Sequence, residues 1–277
     1  KLSAGVYELG SIFKVFTIAM ALDAGLAQLD TVYDVRAPLR VGPHTMRDLY
    51  PQGRPLTVRE IFVHSSNVGA GMLALQAGSA QQRAFLSRLG MLGSMATEAG
   101  PVTSPRLPAR WGQAETITIA YGHGLALAPL QLAAAAAQLF NGGRAIVPTL
   151  RAGVGQPMPG HQLIAERTSA ELAGLMRRNV THPSGTGRQA EVAGFEIGGK
   201  TGTADIAAGG AYKDGGVISS FLAVFPASAP RYLTLVSLFE PRPTEETRGK
   251  ITAGVNAAPT TARIIARVAP LLDVATH

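Results

Sequence analysis

The 277 residues are 46% apolar, which supplies a sizeable core and excludes global disorder, and no apolar run reaches the roughly 18 residues of a membrane helix. The absence of cysteine removes thiol catalysis and Cys-based zinc sites, and six scattered histidines without a close pair predict neither a metal nor another cofactor. The net charge of +7 rests on twenty Arg and five Lys, dispersed among only 6% aromatics, so no nucleic-acid interface is expected.

In chain order, "SIFKVFTIAMALDAGLA" (11–27) is apolar nearly all the way round and predicts a buried helix ending near Gly25. Shorter helical patterns cover 57–63, 68–77 and 80–89, and the Pro-broken "PVTSPRLPARW" (101–111) predicts loop. "PLQLAAAAAQLFNGG" (129–143) has Pro at its start and Asn-Gly-Gly at its stop, as a helix should. "TSAELAGLMRRN" carries a Thr168-to-Glu171 capping box and basic residues in its last turns. The texture then changes to two strand-like segments, 217–226 and 231–240, joined by a short turn as a hairpin. A helix with a proline break over 255–275 closes the chain. The pattern predicts an α/β protein with few βαβ units: one domain over 1–277, helical over roughly 11–184 and sheet-forming over roughly 185–277.

The stretch "GFEIGGKTGTAD" (194–205) matches two chemistries. Gly194 and Gly199-Lys200-Thr201 spell G-x-x-x-x-G-K-T, a phosphate-binding loop, which requires a helix to open after the threonine. "GTADIAAGGAYKDGG" lacks helical periodicity, and the upstream "RQAEVAGFE" is too polar for a central parallel strand, so the phosphate-loop reading fails. Read instead as K-T-G, the same residues call for two companions, and both are present in order. Ser11-Ile12-Phe13-Lys14 is the one S-x-x-K in the chain, and Ser65-Ser66-Asn67 the one S-x-N. Alone, Ser11 reads as a helix cap, Lys14 as an exposed first-turn residue, Ser65-Ser66-Asn67 as another cap and Lys200 as a solvated strand residue. The ordered trio carries the assignment.

The spacing has a chemical reason. Three residues apart on a helix, Ser11 and Lys14 share a face, so the amine reaches the hydroxyl, and Gly10 permits a tight turn before them. To act as a base Lys14 must be neutral, which burial and a second cation, Lys200, both favour. Arginine could not be deprotonated in that role.

The motifs extend into longer segments. "VYELGSIFKVFTIAMALDAGL", "VHSSNVGAGMLALQ", "YGHGLALAPLQLAAAAAQLFNGG", "GTGRQAEVAGFEIGGKTGTAD" and "SSFLAVFPASAPRY" together resemble the transpeptidase domain of class B penicillin-binding proteins over nearly the whole chain, with Leu9 where proline is usual. The resemblance implies the penicillin-recognising, β-lactamase-like fold, an antiparallel sheet flanked by helices plus a mainly helical lobe. The family's first strands would precede Lys1. It also implies a peptidoglycan D,D-transpeptidase: Ser11 as nucleophile toward stem peptides ending in D-Ala-D-Ala, Lys14 as base, Ser65 as proton relay and Asn67 as orienting group. Lys200, Thr201, Gly202 and Thr203 would form the carboxylate-binding strand, and the N–H groups of Ser11 and Thr203 the oxyanion hole. β-Lactams would mimic the substrate. "SSNVG" is closer to the septal subgroup than to the elongation subgroup, which implies a periplasmic domain, a membrane anchor outside this sequence, and a polytopic glycosyltransferase with other divisome proteins as partners. A β-lactamase, a carboxypeptidase and a non-catalytic penicillin sensor share the motifs. The class A lactamase's E-x-x-x-N segment is absent, as is the G-x-S-x-G of a Ser-His-Asp hydrolase.

Overall fold

The computed structural model describes every residue except Pro43, 153–159, 209–210, Ala275 and His277. A short 3-10 turn, Gly10–Phe13, leads into α1 (Lys14–Asp23), buried from Lys14 to Ala21 as its unbroken apolar texture requires. Small pairings follow: β1 (Val32–Tyr33) with β4 (Leu56–Thr57), and β2 (Leu39–Val41) with β3 (His44–Met46). Then come α2 (Val58–Val63), started by a Thr57–Glu60 capping box, and α3 (Asn67–Arg88), broken at Gly78 where φ is +81°. The hairpin of β5 (Met95–Thr97) and β6 (Gly100–Val102) precedes α4 (Gln113–Ala120), α5 (Pro129–Phe140) and α6 (Glu166–Thr181). The last elements are β7 (Gly198–Ala208), β8 (Ala211–Phe225), β9 (Tyr232–Phe239) and α7 (Ala257–Val268), which gives way at Pro270 to a 3-10 turn, Pro270–Leu272.

Three expectations need correction. The first helix does not begin at Ser11, because the chain enters through the 3-10 turn. The helix over 166–181 is not capped by Thr168, which is buried inside it; Ala165 is the N-cap, and its N–H donates to Asp23 Oδ1 at 2.8 Å. Glu171 instead pairs with Arg167 one turn away. Residues 101–102, expected as loop, complete β6, where Pro101 stands in a short strand and strand length is set by the β5 partner. The last residue of the expected terminal helix, Ala275, lies outside the described residues.

The sheet runs β7-β8-β9, each pair antiparallel, with Lys200 opposite Leu222 and Leu222 opposite Leu235. Period-two alternation gives the central strand two buried faces. Ile218, Leu222 and Val224 join the core of α1, α5 and α6, whereas Phe221, Ala223 and Phe225 pack with Ala258 and Ile265 of α7. Each of these larger apolar side chains contributes about 1.5–3 kcal/mol on burial. The same alternation sets Lys200 over Phe62 of α2 and beside Ser65, and turns the neighbouring threonines the other way. An antiparallel strand through Lys200 also removes the phosphate-loop reading, since no helix opens there.

Candidate active site

The 3-10 turn supplies the first two groups. Gly10 has φ +57°, donates its N–H to the Gly122 carbonyl at 3.3 Å, and lies so close to β7 that a Cβ would meet Thr203 O at 2.6 Å. Residues three apart eclipse in a 3-10 turn, which stacks Lys14 over Ser11 with Nζ and Oγ 3.0 Å apart.

Lys14 is fully buried. Its Nζ also lies 2.5 Å from the Ser65 carbonyl, 2.7 Å from Asn67 Oδ1 and 3.0 Å from Ser65 Oγ. The two carbonyl-type oxygens can only accept, and they are the nearest. In its neutral form the amine has two N–H donors and one lone pair; with Ser65 O and Asn67 Oδ1 taking the donors, the lone pair is left for the two hydroxyls at 3.0 Å, Ser11 Oγ and Ser65 Oγ. Burial holds the Lys14 pKa well below its ordinary value, the Lys200 charge lowers it further, and the Asp48 carboxylate opposes both.

Ser65 and Asn67 flank the junction of α2 and α3. Ser65 takes a left-handed conformation, φ +55°, which turns both its carbonyl and its hydroxyl toward Lys14. A non-glycine residue held there signals a constrained site. Ser66 does the capping, its Oγ accepting the Gly69 N–H at 2.9 Å, so the capping and functional readings of this triplet fall on different serines. Asn67 Nδ2 donates to the Arg47 carbonyl at 3.3 Å.

Lys200 is fully buried in β7. Its Nζ lies 3.0 Å from Ser65 Oγ and 3.1 Å from Thr201 O, over the Phe62 ring at 5.8 Å. Burial lowers its pKa from 10.5 to about 7. One hydroxyl, Ser65, therefore bridges two amines that come from segments far apart in the chain.

Ser11, Lys14, Ser65, Asn67 and Lys200 converge. The threonines stand apart from this hydrogen-bonded set. Thr201 Oγ1 donates to Thr186 Oγ1 at 2.7 Å, Thr186 in turn reaches Asn179 Oδ1 at 3.2 Å, and Asn179 Nδ2 donates to Gly199 O at 2.8 Å. Because Asn179 Oδ1 can only accept, the hydroxyl protons of this chain point inward, away from the cleft. Thr203 Oγ1 accepts the Ala253 N–H at 3.1 Å, which leaves its own proton free to donate. Gly202 lets β7 pass the turn: a Cβ would lie 2.3 Å from Leu9 O. Leu9, where the family resemblance expects proline, is buried in the core.

Sequence reasoning missed Asp48, Asn179 and Thr186. Thr186 sits in the Gly185-Thr186-Gly187 run, a signal that was available; Asp48 in an unremarked segment and Asn179 at the end of the helix quoted above offered none. Among the described residues no three His, Asp or Glu side chains are grouped for a metal ion.

Residues 1–265 match the model of the penicillin binding protein transpeptidase domain. The chain is 37% identical over 280 residues to the probable peptidoglycan D,D-transpeptidase FtsI of Caulobacter vibrioides, covering 98% of this chain and 48% of that protein. It is 30% identical over 278 residues to the peptidoglycan D,D-transpeptidase FtsI of Escherichia coli K12, covering 97% and 45%. The fold superposes on the apo TP domain of Burkholderia pseudomallei penicillin-binding protein 3 with a TM-score of 0.90 at 26% identity, covering 100% of this chain and 82% of that one. The chain spans about half the length of the curated relatives it matches.

Proposed function

This chain belongs to the penicillin-binding-protein transpeptidase family, and we propose that it is a serine D,D-transpeptidase of peptidoglycan stem peptides. The observation that carries the reading is the fully buried Lys14 amine, whose Nζ lies within hydrogen-bonding distance of Ser11 Oγ, Ser65 O and Asn67 Oδ1 and whose pKa burial holds down.

Lys14 accepts the Ser11 hydroxyl proton as Oγ bonds to the penultimate D-Ala carbonyl carbon. The carbonyl oxygen becomes an oxyanion, held by the N–H groups of Ser11 and Thr203; one such donor is worth about 10²–10³ in rate. The oxyanion collapses and the C–N bond breaks. The departing D-Ala amine takes a proton from Ser65 Oγ, which is replenished by Lys14. General acid–base help of this kind contributes about 10²–10⁴. An amine of a neighbouring stem peptide then attacks the ester, loses a proton back through the same relay, and releases Ser11 as the cross-link forms.

Lys200 and the Thr203 hydroxyl, whose proton is free to donate, hold the substrate's terminal carboxylate. Thr201 reaches that carboxylate only by turning its proton off Thr186. A carboxylate beside Lys200 favours the ammonium form, so substrate binding loads the proton that burial had made easy to lose. β-Lactams acylate Ser11 through the same steps. Similarity to FtsI proteins and the S-S-N-V-G segment support a septal role; the family resemblance implies with it a place outside the cytoplasmic membrane, beside a polytopic glycosyltransferase and other divisome proteins.

The test is intact-mass analysis of the full-length protein and its Ser11→Ala variant with benzylpenicillin. A long-lived adduct on the parent alone is expected. Rapid drug turnover would assign a β-lactamase instead, and no adduct on either protein would remove the enzymatic reading.

A further inference from the structure

Residues 47 and 49–55, after β3, are all exposed, and Asp48 alone in that strap turns inward. Its Oδ2 accepts the Ser66 hydroxyl at 2.7 Å and its Oδ1 the Val68 N–H at 2.9 Å. Both donors belong to the N-terminal turn of α3, where a carboxylate is also favoured by the helix dipole. The preceding strap carbonyl, Arg47 O, accepts Asn67 Nδ2. The strap therefore touches residues 66, 67 and 68 in succession, directly behind the two groups that grip Lys14. On the other side Ser65 and Ser66 are tied to the end of α2 by Ser65 N–H to Phe62 O, 3.2 Å, and Ser66 N–H to Ile61 O, 2.9 Å. The left-handed Ser65 sits between these two anchors, and without one of them its backbone strain favours relaxation toward an ordinary turn.

We propose that Asp48 is a positioning residue for this reaction: by clamping Ser66 and Val68 it holds Ser65 and Asn67 in the geometry that grips the Lys14 amine. This rests on the transpeptidase reading of the site. The carboxylate has a second consequence through charge. Lys14 is faced by Lys200 from β7, by His123 from the loop after α4, and by Asp48 from the strap; only Asp48 favours the ammonium form. The two lysines share the Ser65 hydroxyl and the Lys200 charge acts on Lys14, so the acid limb of acylation reports on Lys14 in the field of both neighbours. Removing the Asp48 charge makes the amine harder to protonate and moves that limb to lower pH.

The experiment measures the rate of acylation of the full-length protein by a fluorescent penicillin between pH 5 and 9, for the parent, Asp48→Asn and Asp48→Ala. Asparagine keeps an acceptor for Val68 N–H and a partner for Ser66 but not the charge. It should acylate within about threefold of the parent at high pH, with the acid limb displaced downward by about half a pH unit. Alanine should lose about 10- to 100-fold at every pH, the cost of misplacing the amine's partners by a fraction of an ångström to an ångström. Asp48→Ala acylating within about twofold of the parent overturns the proposal. So does an Asp48→Asn limb that stays in place or moves upward, because a merely structural residue would leave the pH profile unshifted. A parent that forms no adduct sinks the transpeptidase reading instead, and the Ser11→Ala control separates the two failures.

Discussion

Gly10→Ala tests the close approach of the nucleophile's turn to β7. The added Cβ would lie 2.6 Å from Thr203 O and 3.0 Å from Thr203 C, whereas ordinary contact begins near 3.4 Å, so the turn and the strand must part by about 0.8 Å. An alanine at φ +57° costs about 1–2 kcal/mol, and the overpacking about 1–3 more. The separation falls between Ser11 and Thr203, whose N–H groups hold the oxyanion in the proposed mechanism, and a shift near 1 Å costs about 10²-fold in rate. The assay is acylation by fluorescent penicillin alongside thermal unfolding. Gly142→Ala is the control: Gly142 also has positive φ, +83°, but a Cβ there meets nothing within 4 Å. It should cost a little stability and leave acylation untouched. A folded Gly10→Ala protein acylating within about threefold of the parent would refute the argument that this approach sets the oxyanion geometry.

Lys200→Met should abolish carboxylate recognition while raising stability, because a buried cation is replaced by an apolar chain. The sign follows from a folded-state pKa near 7 against an ordinary 10.5. Below pH 7 both folded and unfolded parent carry the proton, and the folded state bears the full cost of burying it. Between about 7 and 10.5 the folded parent has shed a proton that the unfolded chain keeps, so the parent gains stability as pH rises. The advantage of Lys200→Met in denaturant unfolding should therefore be largest below pH 7 and shrink by about 3–5 kcal/mol toward pH 10; a pH-independent difference would contradict it. Asn179→Ala strips the buried chain linking Gly199, Thr186 and Thr201, at a cost of about 2–4 kcal/mol, and should lower Tm by about 5–10 °C along with acylation. An unchanged melt would show that the network is held by other contacts.

Local patterns made much of the fold legible. The unbroken apolar run became α1, Pro129 opened α5, and the paired apolar segments became β8 and β9. These depend on periodicity and turn chemistry, which are properties of neighbouring residues. The misjudged points have non-local causes: Asp23 of α1 supplies the acceptor at the start of α6, and β5 extends pairing into a proline-containing segment. The site motifs were legible as spacings, and their ordered trio already reversed the bland reading of Lys14 as exposed; the structure adds how it packs under Ser65 and Asn67.

The order S-x-x-K, S-x-N, K-T-G and the apolar run that buries α1 are written in short stretches of chain, and those the sequence determined by itself; the 3-10 entry that stacks Lys14 on Ser11 was not. Tertiary structure decided which serine caps α3 and which faces the amines, that Thr201 donates to Thr186 while Thr203 accepts from Ala253, and that Asp48 stands behind the site. It also lowers the pKa of both lysines. Desolvation and Coulomb energy depend on what surrounds a group in space, and Ser65 and Lys200, 135 residues apart, become neighbours only when the sheet docks on the helical core.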